Sequence, residues 1–320
     1  MTTPPGQPAQ AMPAPSADVT VGLLLMVAAV LIAPFIDIFS KLATETTSPM
    51  EITAVRFFFQ IVFMLPIFVW RRTWPRFSRR NTIYHIARGS LISLSMVSYV
   101  AALSVMEVAD ALAIFFVEPI ILTVLSSIFL KETIGWRRYT ACAVGFLGAL
   151  LIIQPTFEEV GYIALLPVVT AFCIAIFAIL TRKLSHSEDP WSMQVETGFW
   201  GLLISIAAIA LFGRSGPATF APSIPDSTTM VWLFGVGLAA AISGILSVYA
   251  YRAAPASTLA PLQYLEIVTT TIFGWLVFRD FPDAIKWLGI AIIIGSGLFI
   301  IWRERRFKSK PVSDSATLAP

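Results

Sequence analysis

Ten stretches of roughly twenty mostly apolar residues follow one another along this chain, and lipid is the solvent that suits such a pattern. They run 20–42, 51–70, 83–105, 109–130, 136–154, 162–181, 192–212, 230–251, 256–278 and 284–302. About 20 residues of α-helix cross the roughly 30 Å hydrocarbon layer of a bilayer. With no water there, each backbone N–H and C=O must be satisfied within its own segment, so the stretches are expected to be helices. The links are short, and the longest, 213–229, carries Pro217, Pro222 and Pro225. They leave no room for a soluble domain. The 320 residues are 57% hydrophobic and 13% charged, against about 25% charged in a soluble domain. The fold class expected is an all-α integral membrane protein.

The basic residues orient the helices. If ten helices alternate, sixteen Lys and Arg fall on one side, including five over 71–80 and five over 303–310. The opposite links hold Arg214, Arg279 and Lys286. Lys and Arg collect in cytoplasmic loops, so both termini are expected in the cytoplasm of a multi-pass inner-membrane protein. The net charge of +3 gives no footing for nucleic acid. Residues 1–18 are rich in Pro, Ala and Thr and lack Lys and Arg. A secretory signal needs a basic start, so 1–19 is expected to be an uncleaved, disordered cytoplasmic tail. Residues 303–320 form a basic tail at the other end. Cys142 and Cys173 both lie in apolar runs, with no CxxC or Cys/His cluster, so each is expected to pack. No metal or cofactor is expected.

The chain also repeats itself. Residues 109–153 align without gaps on 257–301, which sets Glu118 on Glu266 and Lys131-Glu132 on Arg279-Asp280. Ser48-Pro49 matches Asp189-Pro190. The halves, 20–154 and 162–302, hold five helices each, and an odd number turns the second half over in the membrane. Inverted repeats are a transporter architecture with the solute site near the midplane.

Several local patterns carry a resemblance. They are Arg56-Phe57 after Ser48-Pro49, the run Ile114-Phe115-Phe116-Val117-Glu118-Pro119 leading to Leu130-Lys131-Glu132, and Gly145-Phe146-Leu147-Gly148-Ala149-Leu150-Leu151-Ile152-Ile153. With the 5+5 plan, the chain resembles the drug/metabolite transporter superfamily in its EamA group, over about 20–302. The second and third runs are similar to bacterial members proposed to import riboflavin or S-adenosylmethionine. The resemblance implies helices 1–4 and 6–9 around a central cavity, with the fifth and tenth outside. It implies secondary-active uptake of a vitamin-like or nucleoside-like solute such as riboflavin. S-adenosylmethionine or amino-acid transport, or metabolite and drug export, are the alternatives. The partners expected are the solute, the bilayer and a coupling proton, with a homodimer also to be considered.

A charge at the bilayer centre costs on the order of 3 kcal/mol, so intramembrane charges need a reason. Asp37 and Arg56 sit at matching depths in the first two segments. They can form a structural ion pair, or Arg56 can meet an anionic group of the solute. Glu118 is followed by Pro119, which removes a backbone hydrogen bond and loosens the helix. Glu266, its repeat mate, follows Pro261 by five residues. One of the two carboxyls is expected to take a coupling proton or contact solute, against the plainer reading of a neutral carboxyl held by its neighbours. Glu196 is expected in an interfacial pair with Arg182 or Lys183, and His85 and His186 at solvated helix ends. Tyr99, Tyr249, Gln263 and Tyr264 complete the candidate set, since a Tyr hydroxyl facing lipid is wasted. HExxH, GxSxG, Walker A and GxGxxG stretches are absent, so no enzyme is expected. A membrane subunit of a larger uptake complex is the rival of another class.

Overall fold

The computed structural model describes residues 19–72, 81–103, 105, 111, 114–132, 135–153, 163, 165–214, 216–269, 272 and 284–307. The expectations for the N-terminal tail, for Arg76, Arg79 and Arg80, for Arg279-Asp280 and for residues beyond 307 lie outside them. The first segment is two helices, α1 (Val19–Ile32) and α2 (Pro34–Ala43). Then come α3 (Pro49–Trp70), α4 (Thr82–Leu103), α5 (Glu118–Phe129) and α6 (Trp136–Ile153). The second half holds α7 (Leu165–Ser185), α8 (Pro190–Phe212), α9 (Ser227–Ala253), α10 (Ala256–Leu259) and α11 (Ala284–Phe307). A 3₁₀ turn, Ala260–Tyr264, continues α10. Together these elements form the ten-segment all-α membrane fold, two inverted five-helix repeats.

The helix starts follow from local chemistry. Ser48 and Asp189 are both N-caps, each followed by proline at the first helical position, where its missing N–H costs nothing. The Asp189 carboxylate accepts from the Ser192 amide at 2.9 Å. The two repeats thus begin their second helices with the same device. Asp226 caps α9 in the same manner through the Thr229 amide, 2.9 Å.

Among the described residues, three segments are broken. Pro34 divides α1 from α2, and the Ser243 hydroxyl on α9 donates to the Ala29 carbonyl beside the break, 3.0 Å. That carbonyl also accepts from the Ala33 amide at 3.0 Å, so the contact ties α1 to α9 beside the break. Phe116 and Val117 form a turn just before α5. The ninth segment tightens to 3₁₀ through Pro261 and resumes α-helix after Tyr264. The last two breaks occupy equivalent repeat positions.

The packing obeys the duplication. Helix α1 packs on α9, and its repeat counterpart α7 packs on α4. Helix α3 packs on α9, and its counterpart α8 packs on α4. The counterparts α3 and α8 pack on each other, as do α6 and α11. This reciprocity is what a two-fold axis in the membrane plane requires. Close approach is bought with small residues. A Cβ built on Gly89 of α4 would lie 2.7 Å from the Gly201 amide nitrogen of α8. One built on Gly148 of α6 would lie 2.9 Å from Ile293 of α11. A Cβ built on Gly295 of α11, by contrast, would meet nothing within 4 Å among the described residues.

Candidate functional site

A cavity of about 240 Å³ lies between the two halves. Its walls come from segments 1–4 and 6–9, and α6 and α11 contribute none of the described residues that line it. Helix α1 supplies Met26 and Ala29, α4 supplies Ser95 and Tyr99, α7 supplies Thr170 and Phe177.

Six of the eight candidate residues line this cavity: Asp37, Arg56, Tyr99, Glu118, Gln263 and Glu266. Asp37 and Arg56 act on each other electrostatically. They do not close into a bidentate bridge, because Arg56 Nε and Nη1 are buried without a hydrogen-bond partner. The guanidinium carbon instead lies 5.1 Å from the Phe57 ring centroid, a cation–π contact. The repeat mates Glu118 and Glu266 interact across the cavity. Glu118 is 1% exposed, and one oxygen, Oε1, has no hydrogen-bond partner. Gln263 stands within hydrogen-bonding reach of Glu118, and its amide nitrogen also donates to the Tyr251 hydroxyl at 3.4 Å. Tyr99 packs against Phe115 with ring centroids 5.8 Å apart, and its buried hydroxyl is unpartnered.

Tyr249 and Tyr264 lie elsewhere. Tyr249 packs beside Met64, Phe68 and Val195, and its hydroxyl accepts from Trp191 Nε1 at 3.1 Å. Tyr264 is fully buried between Phe116 and Gly145, with its ring 5.8 Å from that of Phe116. The cavity takes Tyr251 instead. Position 251 is two residues past 249, and on a helix that turns the side chain by about 200°.

The 182–196 region departs from expectation in its pairing. Glu196 lies 3.7 Å from His85 Nε2, and His85 lies 2.7 Å from Glu188. His85 is fully buried and is not a solvated helix end. Arg88, which segment reading passed over, is also fully buried and faces Glu188 and Glu196. Its Nη1 donates to the Met193 carbonyl at 3.3 Å, and its guanidinium sits 4.9 Å from the Phe177 ring. His85, Glu188 and Glu196 offer donor atoms within 4.8 Å of one another. That is close enough for a metal, but Arg88 already supplies the balancing cation. Arg182 is used differently, donating to the Tyr251 and Arg252 carbonyls and pairing with Glu132 at 3.8 Å.

The comparisons with known proteins agree with this architecture. An S-adenosylmethionine uptake transporter of Rickettsia bellii is 29% identical over 86% of this chain and 91% of its own length. A riboflavin transporter of Rhizobium johnstonii is 32% identical over 71% of this chain and 72% of its own. A riboflavin transporter of Vibrio cholerae is 29% identical over 70% and 73%. A solved crystal structure superposes with a TM-score of 0.72 over 88% of this chain and 98% of the other, at 15% identity. At that identity the likeness establishes the fold. The EamA-like transporter family model matches residues 20–154 and 161–302, and the chain belongs to that family.

Proposed function

We propose that this protein takes up a small organic metabolite across the inner membrane by alternating access, driven by a coupled proton. The observation that carries the reading is the cavity. Its walls come from eight segments of both inverted halves, and three carboxyl groups and a guanidinium line it. Intramembrane charges are costly, and their convergence on one cavity gives them work. Uptake as the direction is supported by the names of the relatives. Cytoplasmic termini are supported by the Lys/Arg asymmetry. Both riboflavin and S-adenosylmethionine carry a planar heterocycle, which the Tyr99, Phe115 and Phe177 rings would suit. At about 240 Å³ the cavity is smaller than the roughly 300–1,000 Å³ usual for drug-sized ligands. Binding either solute therefore needs the helices to part, as alternating access provides.

The test is purified protein in liposomes with an imposed proton gradient. Accumulation of riboflavin, S-adenosylmethionine or an amino acid, with no partner protein and no ATP, is the expected result. Failure of every solute to accumulate, or accumulation only after adding a partner protein, overturns the reading in favour of a subunit of a larger complex.

A further inference from the structure

The two-fold lets each contact between the halves be compared with its repeat mate. A Cβ built on Gly89 of α4 would press on the Trp200 Cβ of α8, and one built on Gly237 of α9 would press on the Phe59 Cβ of α3. Gly89 and Gly237 match in the register that sets Glu118 on Glu266. Trp200 and Phe59 match in the register that sets Asp189 on Ser48. The α4–α8 and α3–α9 contacts are thus two copies of one interface. Ile92 of α4 and its mate Ala240 of α9 both line the cavity.

One turn further from the cavity, the copies differ in chemistry. On α9, Leu233 and Val236 are fully buried in an apolar cluster with Ile52, and Val55 packs against it. On the α4–α8 side, the matching positions hold His85, Arg88 and Glu196, and Glu188 stands where the other copy has Thr47. His85, Arg88 and Glu196 are buried as deeply as their apolar mates. The interface therefore closes without charge in one half. Apolar residues replace buried ion clusters with little loss of stability, or with a gain, so these charges point to a use other than packing.

The cluster is one proton short of neutral. Arg88 faces Glu188 and Glu196 and cancels one of the two carboxylates. The His85 ring lies 2.7 Å from Glu188 and 3.7 Å from Glu196, so one proton shared among the ring and the carboxyls cancels the other. The Asn81 amide donates to Glu188 at 2.5 Å and adds no charge. Charges on the neighbouring elements have partners of their own. Lys183 of α7 lies over the Tyr84 ring, Arg182 pairs with Glu132, and Asp189 pairs with Arg71. An uncancelled charge is costly away from water, so the closed cluster holds the proton. Parting α4 from α8 admits water, which solvates the carboxylates and frees it.

We propose that the cavity has two unlike gates, an apolar one between α3 and α9 and a proton-holding one between α4 and α8. The Lys/Arg asymmetry assigns the second to the cytoplasmic end. The bound proton keeps that end shut, and its release to the cytoplasm accompanies opening. This rests on the transport reading above and adds to it a proton site outside the cavity.

The experiment follows opening of that end by double electron–electron resonance, with solute accumulation in proteoliposomes measured beside it. Cys142 and Cys173 are replaced by Ala, and spin labels are set at Ile83→Cys and Ser187→Cys, two exposed positions on opposite halves. Over the range in which the cluster titrates, the open-to-closed ratio should rise about tenfold per pH unit, the slope of one proton. Glu196→Gln leaves the cluster neutral without a proton, so this end should stay shut as the pH rises. Exchanging all four residues for their repeat mates, His85→Leu with Arg88→Val, Glu188→Thr and Glu196→Val, should do the same, and it keeps the readout if the single variant does not fold. A ratio independent of pH in the parent overturns the inference and leaves transport standing. So does a ratio that rises as steeply in either variant. If no solute accumulates while the ratio follows pH as described, the transport reading falls and the proton site stands.

Discussion

Glu118 and Glu266 stand at the same break in two inverted halves, and their carboxyl groups face one cavity. Each follows an irregular turn, at Phe116–Val117 in one half and over Ala260–Tyr264 in the other. Two like charges brought together away from water cannot both remain ionised without a cation. A proton or a cationic group of the solute must share the site, and that couples the two. Glu118→Gln should therefore weaken solute binding by about tenfold. The double replacement with Glu266→Gln should abolish accumulation driven by a proton gradient. Gradient-driven uptake with unchanged pH dependence in the double variant, measured in proteoliposomes, would remove the coupling role.

How far the sequence reveals this arrangement depends on the range of the signal. The segments, the duplication and the breaks at Pro119 and Pro261 are written in local hydropathy and proline placement. Five of the six candidates that reach the cavity do so because an intramembrane charge or amide is expensive and must face inward; the sixth is Tyr99. Tyr249 and Tyr264 do not, because an aromatic ring is as welcome in a packed core as in a cavity. The choice between Tyr249 and Tyr251 turns on helix rotation, which apolar composition all around α9 leaves undetermined. Arg88 lies only six residues into α4, so by position it reads as an interfacial charge. Its burial comes from Glu188 and Glu196, which approach from the other half of the chain. No local pattern announces such a pairing.

Glu132, at the end of the fourth segment, caps the start of the ninth. Its carboxylate accepts from the Ala256 and Ser257 amides, each at 3.1 Å, and from the Ser257 hydroxyl at 2.6 Å. Lys131 adopts a left-handed backbone, φ 54°, to aim it there, a conformation that costs a non-glycine residue about 1–2 kcal/mol. An anionic cap on a helix N-terminus is favourable through both its hydrogen bonds and the helix dipole. Glu132→Ala should destabilise the fold by about 2 kcal/mol, with Glu132→Gln losing less. Thermal unfolding of both variants in the same detergent gives the order. An unchanged midpoint for Glu132→Ala would deny the cap any energetic role.

His186 lies in the link between α7 and α8 and is exposed. Partial burial, then the nearby Arg182 and Arg252 charges, hold its pKa below the ordinary 6.5. The folded chain thus resists protonation at this ring. Any stability it contributes is fully present above pH 6.5 and is lost as the pH falls through the lower, folded value. NMR titration of the ring should give a midpoint under 6.5, and Arg252→Gln should raise it. A midpoint at or above the ordinary value would mean that the two guanidinium groups do not act on it.

Tyr264 is a packing residue, and its ring and hydroxyl can be separated experimentally. The ring fills the space that Gly145 leaves on α6, where a Cβ would come within 2.5 Å of it. The hydroxyl is buried and unpartnered. Removing an unsatisfied buried group while keeping the apolar shape is neutral or stabilising. Tyr264→Phe should therefore fold at least as well as the parent and keep its solute affinity. Tyr264→Ala should cost about 3–5 kcal/mol through the cavity it leaves. Gly145→Ala should cost about 1–3 kcal/mol by overpacking against the ring. If Tyr264→Phe instead loses solute binding while its unfolding midpoint holds, the hydroxyl reaches the solute in another state of the transport cycle, and Tyr264 belongs to the site.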